Sequence, residues 1–137
     1  MIVVDASVLA DFLVGRLEAI GVVLDALGDD HDQPLHAPEL IEPETLSALR
    51  RLVLAGRISE DRGAEAVTDL GAVRLVRHPH APLRDRVWEL RHELTPYDAS
   101  YLALAEALDD PVLITGDAGL AASGRRSLGD DGVALMK

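Results

Sequence analysis

The chain reads as alternating blocks of apolar runs and helical periodicity. Ile2-Val3-Val4 is an unbroken β-branched run and Val112-Leu113-Ile114 is a second. Runs without polar alternation fit strands buried on both faces. Leu35-His36-Ala37, Val73 to Val76 and Val133 to Met136 are weaker runs that predict three further strands. Between them, apolar residues at helical spacing predict helices over about 7–14, 17–27, 39–55, 59–70, 81–93 and 95–108. Punctuation supports these limits. Gly28, Gly56 and Gly71 stand as stops, Ser59 and Thr95 as N-caps, and Pro96 at a first helical position. Asp29 to Pro34 reads as a polar loop, and Asp109-Asp110-Pro111 ends the last of these helices. Strands alternating with helices predict an α/β fold with a mostly parallel sheet covered on both faces.

Length makes this a single domain, residues 1–137, large enough to bury about 68% of its unfolded surface. No internal repeat or low-complexity linker interrupts it. Composition then narrows the chemistry. With no cysteine there is no disulfide framework, thiolate metal site or cysteine nucleophile. The only lysine is Lys137, so P-loop, Schiff-base and kinase lysines are excluded. Four aromatics, Phe12, Trp88, Tyr97 and Tyr101, are few for a base-stacking platform. A net charge of −11 argues against gripping nucleic acid by bulk charge. No apolar run approaches the ~20 residues of a membrane span, and the short early run is followed by Asp5 rather than a leader pattern. A soluble cytoplasmic protein is expected.

The acids are the candidate chemistry. Asp5 follows the first strand directly, and Asp117 follows Val112-Leu113-Ile114 after Thr115-Gly116. Ligands of open parallel sheets bind outside the carboxyl ends of the strands, which is where both aspartates fall. Asp98 lies in the first turn of the helix leading into the second clear strand, and Glu44 in the helix after Leu35-His36-Ala37. If the four converge, they need a counter-charge. Two unit charges 4 Å apart repel by about 4 kcal/mol at an effective dielectric near 20. With no lysine at hand, protonation or a divalent cation remains. Oxygen-only ligands favour Mg²⁺ or Mn²⁺, one or two ions.

Each residue also has a plain structural role open to it. Asp5 could be a strand-end turn residue, Asp98 a first-turn charge on the helix dipole, and Asp117 a cap for Ala118 to Ala122. Glu44 could be a solvated first-turn glutamate, Ser7 an N-cap and Thr115 a strand-end residue. Glu39 and Glu42 compete with Glu44. A helical wheel centred on Ile41, Thr45, Leu49 and Leu52 slightly favours Glu42, with Pro43 confusing the start of the helix. The five histidines form no H-x-x-x-H pair, and His78-Pro79-His80 reads as a surface loop before a metal site. Arg50-Arg51 and Arg125-Arg126 read first as solvated charges, with contact to phosphates as the alternative. Arg84, Arg86 and Arg91 flank Trp88 in a helix read first as packing, with an RNA- or partner-facing role as the alternative.

Four segments, in order along the chain, carry a resemblance. Ile2-Val3-Val4-Asp5-Ala6-Ser7-Val8-Leu9, Ala37-Pro38-Glu39-Leu40-Ile41-Glu42-Pro43-Glu44, Leu94-Thr95-Pro96-Tyr97-Asp98-Ala99-Ser100-Tyr101-Leu102-Ala103-Leu104-Ala105 and Leu113-Ile114-Thr115-Gly116-Asp117-Ala118-Gly119-Leu120-Ala121 resemble the motifs of PIN-domain proteins. The third is the most specific. At this length the pattern is most similar to VapC-type ribonuclease toxins of bacterial toxin–antitoxin pairs. The resemblance implies a three-layer α/β/α sandwich and an Mg²⁺- or Mn²⁺-dependent endoribonuclease that hydrolyses RNA with metal-activated water. It assigns Asp5, Glu44, Asp98 and Asp117 as catalytic, metal-binding acids, with Ser7 and Thr115 in support and Glu42 as the alternative to Glu44. It further implies a homodimer and a VapB-type antitoxin that blocks the acidic pocket, often with a basic side chain. Two positions depart from the pattern. Gly119 replaces an acid found in some members, and Gly116 replaces a common polar or basic residue.

Two other classes stay open on the residues alone. One is an inactive PIN-like module that binds RNA or a partner without cutting. The other is a haloacid-dehalogenase-like phosphatase using Asp5 as nucleophile, which would want an aspartate where Ser7 stands.

Overall fold

The computed structural model describes residues 1–137. Strands β1 (Ile2–Val4), β2 (Leu35–Pro38), β3 (Leu75–His78), β4 (Val112–Thr115) and β5 (Val133–Leu135) form one sheet. Its order is β3-β2-β1-β4-β5, with every neighbouring pair parallel. The helices are α1 (Ala6–Leu13), α2 (Leu17–Leu27), α3 (Ile41–Leu54), α4 (Glu60–Ala72), α5 (Arg84–Glu89), α6 (Pro96–Ala107) and α7 (Ala118–Leu128). Helices α1 to α4 pack among themselves, as do α5 to α7, so the sheet lies between two helical layers. This is the expected α/β/α sandwich. The apolar runs lie at its centre, with Val3, Val4, Leu113 and Ile114 wholly buried.

A parallel sheet puts all strand carboxyl ends on one edge. Here the order reverses at β1, which pairs with β2 on one side and β4 on the other. Chains leaving neighbouring strands at such a switch point diverge to opposite faces and open a crevice between them. Asp5 lies at the end of β1 and Asp117 beyond the end of β4, so both border that crevice.

Three elements differ from the sequence expectation. The strand expected at Val73 to Val76 lies two residues later, at Leu75–His78, because α4 runs on through Gly71 to Ala72. The helix expected over 81–93 breaks into a 3₁₀ turn at Ala81–Leu83, the short α5 and a run of turns. Leu83, Val87, Leu90 and Leu94 keep helical spacing, but Leu90 and Leu94 are buried anchors of those turns. The segment Ala118 to Ala122 extends into the eleven-residue α7. Its small residues hide the helix in the sequence and serve close packing: a Cβ on Gly124 would lie 2.8 Å from Val133 Cγ2.

Candidate metal centre and its acidic pocket

Asp5 is fixed more firmly than a turn residue would be. It is the N-cap of α1: Oδ1 accepts the backbone N–H of Val8 at 3.0 Å and the hydroxyl of Ser7 at 2.8 Å. Its Oδ2 accepts the hydroxyl of buried Thr115, from β4 across the switch point. That same Thr115 Oγ1 accepts the backbone N–H of Asp117 at 3.0 Å. One hydroxyl therefore ties the end of β1 to the start of the segment carrying Asp117. Asp117 caps α7, with Oδ1 accepting the N–H of Leu120 at 2.7 Å. The capping role foreseen for Asp117 is present, and the cap of the first helix, expected at Ser7, falls to Asp5, with Ser7 already inside α1. The two caps orient the carboxylates without removing them from the crevice: Asp117 keeps Oδ2 free, and Asp5 Oδ2 keeps a second lone pair beside the one that Thr115 fills.

Asp98 is the third residue of α6. Thr95 caps the helix by accepting the Asp98 backbone N–H at 3.3 Å. A capping box would have the acid's side chain reach back to the Thr95 N–H. The Asp98 carboxylate makes no such bond. It faces the other acids instead, and its pKa is pushed up to about 6, first by burial and then by the charges of Asp117, Asp5 and Glu44. Glu44, on α3, is held by the Tyr101 hydroxyl, which donates to Oε1 at 2.7 Å. Tyr101 is buried on α6, one turn past Asp98. Burial, then the Glu44 hydrogen bond, hold its hydroxyl protonated.

Asp5, Glu44, Asp98 and Asp117 line one cavity of about 220 Å³, with Ser7, Tyr101, Ser47 and Arg51 among its walls. Glu42 is not among them. It turns to the other side of α3 and pairs with Arg77 of β3. Periodicity favoured Glu42 because it was blind to that arginine, which supplies a polar partner just where the wheel expected an apolar face.

Two contributors were given no place in the acidic pocket from the sequence. Tyr101 counted only as one of four aromatics and as part of the third motif, and its spacing of three from Asp98 was the available signal. Arg51 read first as a solvated charge, yet Glu44, Ala48 and Arg51 share one face of α3 at helical spacing. Arg51 donates to Ser47 Oγ at 3.1 Å and forms no ion pair, although it lines a pocket of four acids. The histidines lie elsewhere. His36 and His78 meet across β2 and β3, Nδ1 to Nε2 at 2.9 Å, and His80 Nε2 accepts the N–H of Leu40. The two glycines that depart from the motif pattern lie behind side chains of the pocket. A Cβ on Gly116 would come within 3.1 Å of Ser7 Oγ, and one on Gly119 within 3.2 Å of Asp117 Oδ1.

The donor set fits a hard divalent cation. It is all oxygen, it is short of counter-charge, and Asp98 carries the strain of that shortage. The acids surround the cavity without closing into a compact ligand cluster. An open arrangement suits a cation that keeps several waters. No helix is long and apolar enough to cross a membrane.

Comparison with known proteins adds an independent line. A PIN domain family model matches residues 2–125. Ribonuclease VapC1 of Mycobacterium tuberculosis is 44% identical over 122 residues, covering 88% of this chain and 89% of that protein. Ribonuclease VapC9 of the same organism is 37% identical over 125 residues, covering 91% and 92%. Ribonuclease VapC12 is 33% identical over 123 residues, covering 90% and 92%.

Proposed function

The chain belongs to the PIN-domain family, and on that premise we propose that it is a VapC-type endoribonuclease whose reaction runs in the acidic pocket. The observation that carries this reading is the convergence of Asp5, Glu44, Asp98 and Asp117 on one cavity without a paired arginine or lysine. Relatives named as ribonucleases supply the substrate class. The whole chain, 1–137, is one domain in this reading, since β5 completes the sheet beyond residue 125.

Asp5, Asp98 and Asp117 are the residues that would hold Mg²⁺ or Mn²⁺, with Glu44 completing the set. A bound divalent cation supplies positive charge to phosphate oxygens and makes water more acidic. The chain's own residues do the rest. Ser7, Thr115 and the Val8 N–H fix Asp5, so its free lone pairs keep their direction. Thr115 couples that position to Asp117. Tyr101 holds Glu44 by Oε1, which leaves Oε2 free to accept a proton from the attacking water. Arg51 provides a positive group at the rim for the RNA phosphate. The reading extends to a homodimer in the cytoplasm and to a VapB-type antitoxin. Four uncompensated carboxylates would receive a basic side chain of that antitoxin well.

Asp98→Asn tests the assignment. Divalent-cation-dependent cleavage of RNA is expected to fall by roughly 10³-fold, with the circular dichroism spectrum unchanged. Full activity in this variant would overturn the proposal. So would RNA cleavage by the wild-type protein that persists in excess chelator.

A further inference from the structure

An acidic ribonuclease has to hold an anionic chain somewhere other than its acidic pocket. On the opposite side of the first turns of α6 lies a groove of about 350 Å³, walled by His80, Arg84, Trp88, Arg91, Pro96 and Ser100 among others, with no carboxylate in its lining. That volume is within the range of small-ligand sites. In a chain of net charge −11 such a lining is exceptional. Five of the twelve arginines are spent on acids: Arg16, Arg62, Arg77, Arg86 and Arg126 form ion pairs. Arg84 and Arg91 form none. Arg91 lies 4.7 Å from the Trp88 ring centroid and donates to the Trp88 carbonyl at 2.9 Å, so cation and ring are locked together. Trp88 is nonetheless 67% exposed. His80 Nε2 accepts the Leu40 N–H, which leaves Nδ1–H as a donor.

We propose that this groove is a subsite for single-stranded RNA, with a nucleobase stacked on the Trp88–Arg91 pair and the adjoining phosphate held by Arg84 and His80. Aromatic rings and guanidinium planes are the usual stacking partners of unpaired bases. The groove stands within reach of the acids: Pro96 and Ser100 flank Asp98 on the same two turns, and the helix between them is about 10 Å across. A short stretch of single strand crossing the end of α6 would occupy both. The proposal rests on the ribonuclease reading and adds where the strand is gripped.

Trp88 is the sole tryptophan, so its emission reports on this groove directly. The full-length protein in chelator and low salt is titrated with a ten-nucleotide single-stranded oligoribonucleotide. Saturable quenching is expected. Arg84→Ala should flatten the salt dependence of binding by about 0.7 in log–log slope, the value of one phosphate contact on a single strand. By anisotropy of labelled RNA, Trp88→Ala should bind about tenfold more weakly and Trp88→Tyr should recover most of the loss. In cleavage assays with cation, Trp88→Ala should raise KM more than it lowers kcat. If the wild-type protein cleaves RNA while Trp88 emission stays unchanged, the subsite is overturned and the ribonuclease reading stands. If emission instead follows protein concentration alone, and Trp88→Ala changes the mass by light scattering, the groove is a contact between copies and the proposal fails. If the wild-type protein neither binds nor cleaves RNA, both readings fall.

Discussion

Helix α6 carries an acid near each end, and the two behave oppositely. Asp98 stands in the first turn, where the helix dipole favours the carboxylate. Its pKa is nevertheless pushed up, to about 6. Glu106 stands in the last turn, where the dipole disfavours a carboxylate, yet its pKa is pulled down. A helix dipole contributes about 0.3–1 kcal/mol at a terminus, less than the 1.36 kcal/mol that moves a pKa by one. Neighbours decide instead. Burial penalises both carboxylates. Glu106 is rescued by Arg86, which binds it through two nitrogens at 2.7 and 3.0 Å, and by the Ser127 hydroxyl. Asp98 meets only Asp117, Asp5 and Glu44. The chain has arginines to neutralise acids and places one at Glu106. Leaving the other end of the same helix unpaired is what marks that end as a site.

The same contrast recurs two residues apart on α3, and it makes the largest prediction after that for Asp98→Asn. Glu42 is paired with Arg77, while Glu44 faces the pocket. Glu44→Gln is expected to lower kcat for RNA cleavage by roughly 10²-fold, whereas Glu42→Gln should leave it within about twofold and lower stability by at most ~1 kcal/mol. Equal losses from both would dissolve the distinction between paired and unpaired acids. Tyr101→Phe probes the same point more gently. It removes the bond that holds Glu44 Oε1, and about a tenfold fall in kcat is expected, in the range of outer positioning contacts.

The sequence displayed one side of this contrast and hid the other. Strand-end acids are visible because β1 and β4 are continuous apolar runs, so Asp5 and Asp117 fall on the sheet edge by counting. Asp98 follows from the Thr95-Pro96 helix start. The partners are invisible because they lie far along the chain. Arg77 reaches Glu42 across 35 residues, and Tyr101 reaches Glu44 across 57. Periodicity reports which face of a helix is buried but not whether a buried acid has a cation waiting. For the same reason the wheel leaned toward Glu42 over Glu44. The displaced β3 and the broken helix after it have a related cause. Apolar spacing at Leu83, Val87, Leu90 and Leu94 serves turns as well as helices, so it fixes which residues are buried before it fixes the backbone between them. The short α5 that results exposes Trp88.

Stability against pH offers the finer test, because the two acids of α6 give opposite signs. Asp98 has a folded pKa of about 6 against an ordinary 3.8. Between those values the folded state holds a proton that the unfolded state has lost, so cation-free protein should lose stability as pH rises through that window. Asp98→Asn should remove this fall and raise the melting temperature at pH 7. Solvent screening limits the gain to about 1 kcal/mol for a half-exposed group. Mg²⁺ should abolish the difference between the two proteins at pH 7 by neutralising the same charge. Glu106 works the other way. Its folded pKa lies below the ordinary 4.5, so its contribution is present above that value and is lost as pH falls through the depressed one. Glu106→Gln should therefore cost about 1 kcal/mol at pH 7 and nothing in strong acid, with RNA cleavage unchanged. This is the smallest of the effects and the most discriminating. If Glu106→Gln stabilised the protein at pH 7 as Asp98→Asn does, the pairing with Arg86 would not be what separates the two ends of α6, and the unpaired state of Asp98 would lose its meaning as a mark of function.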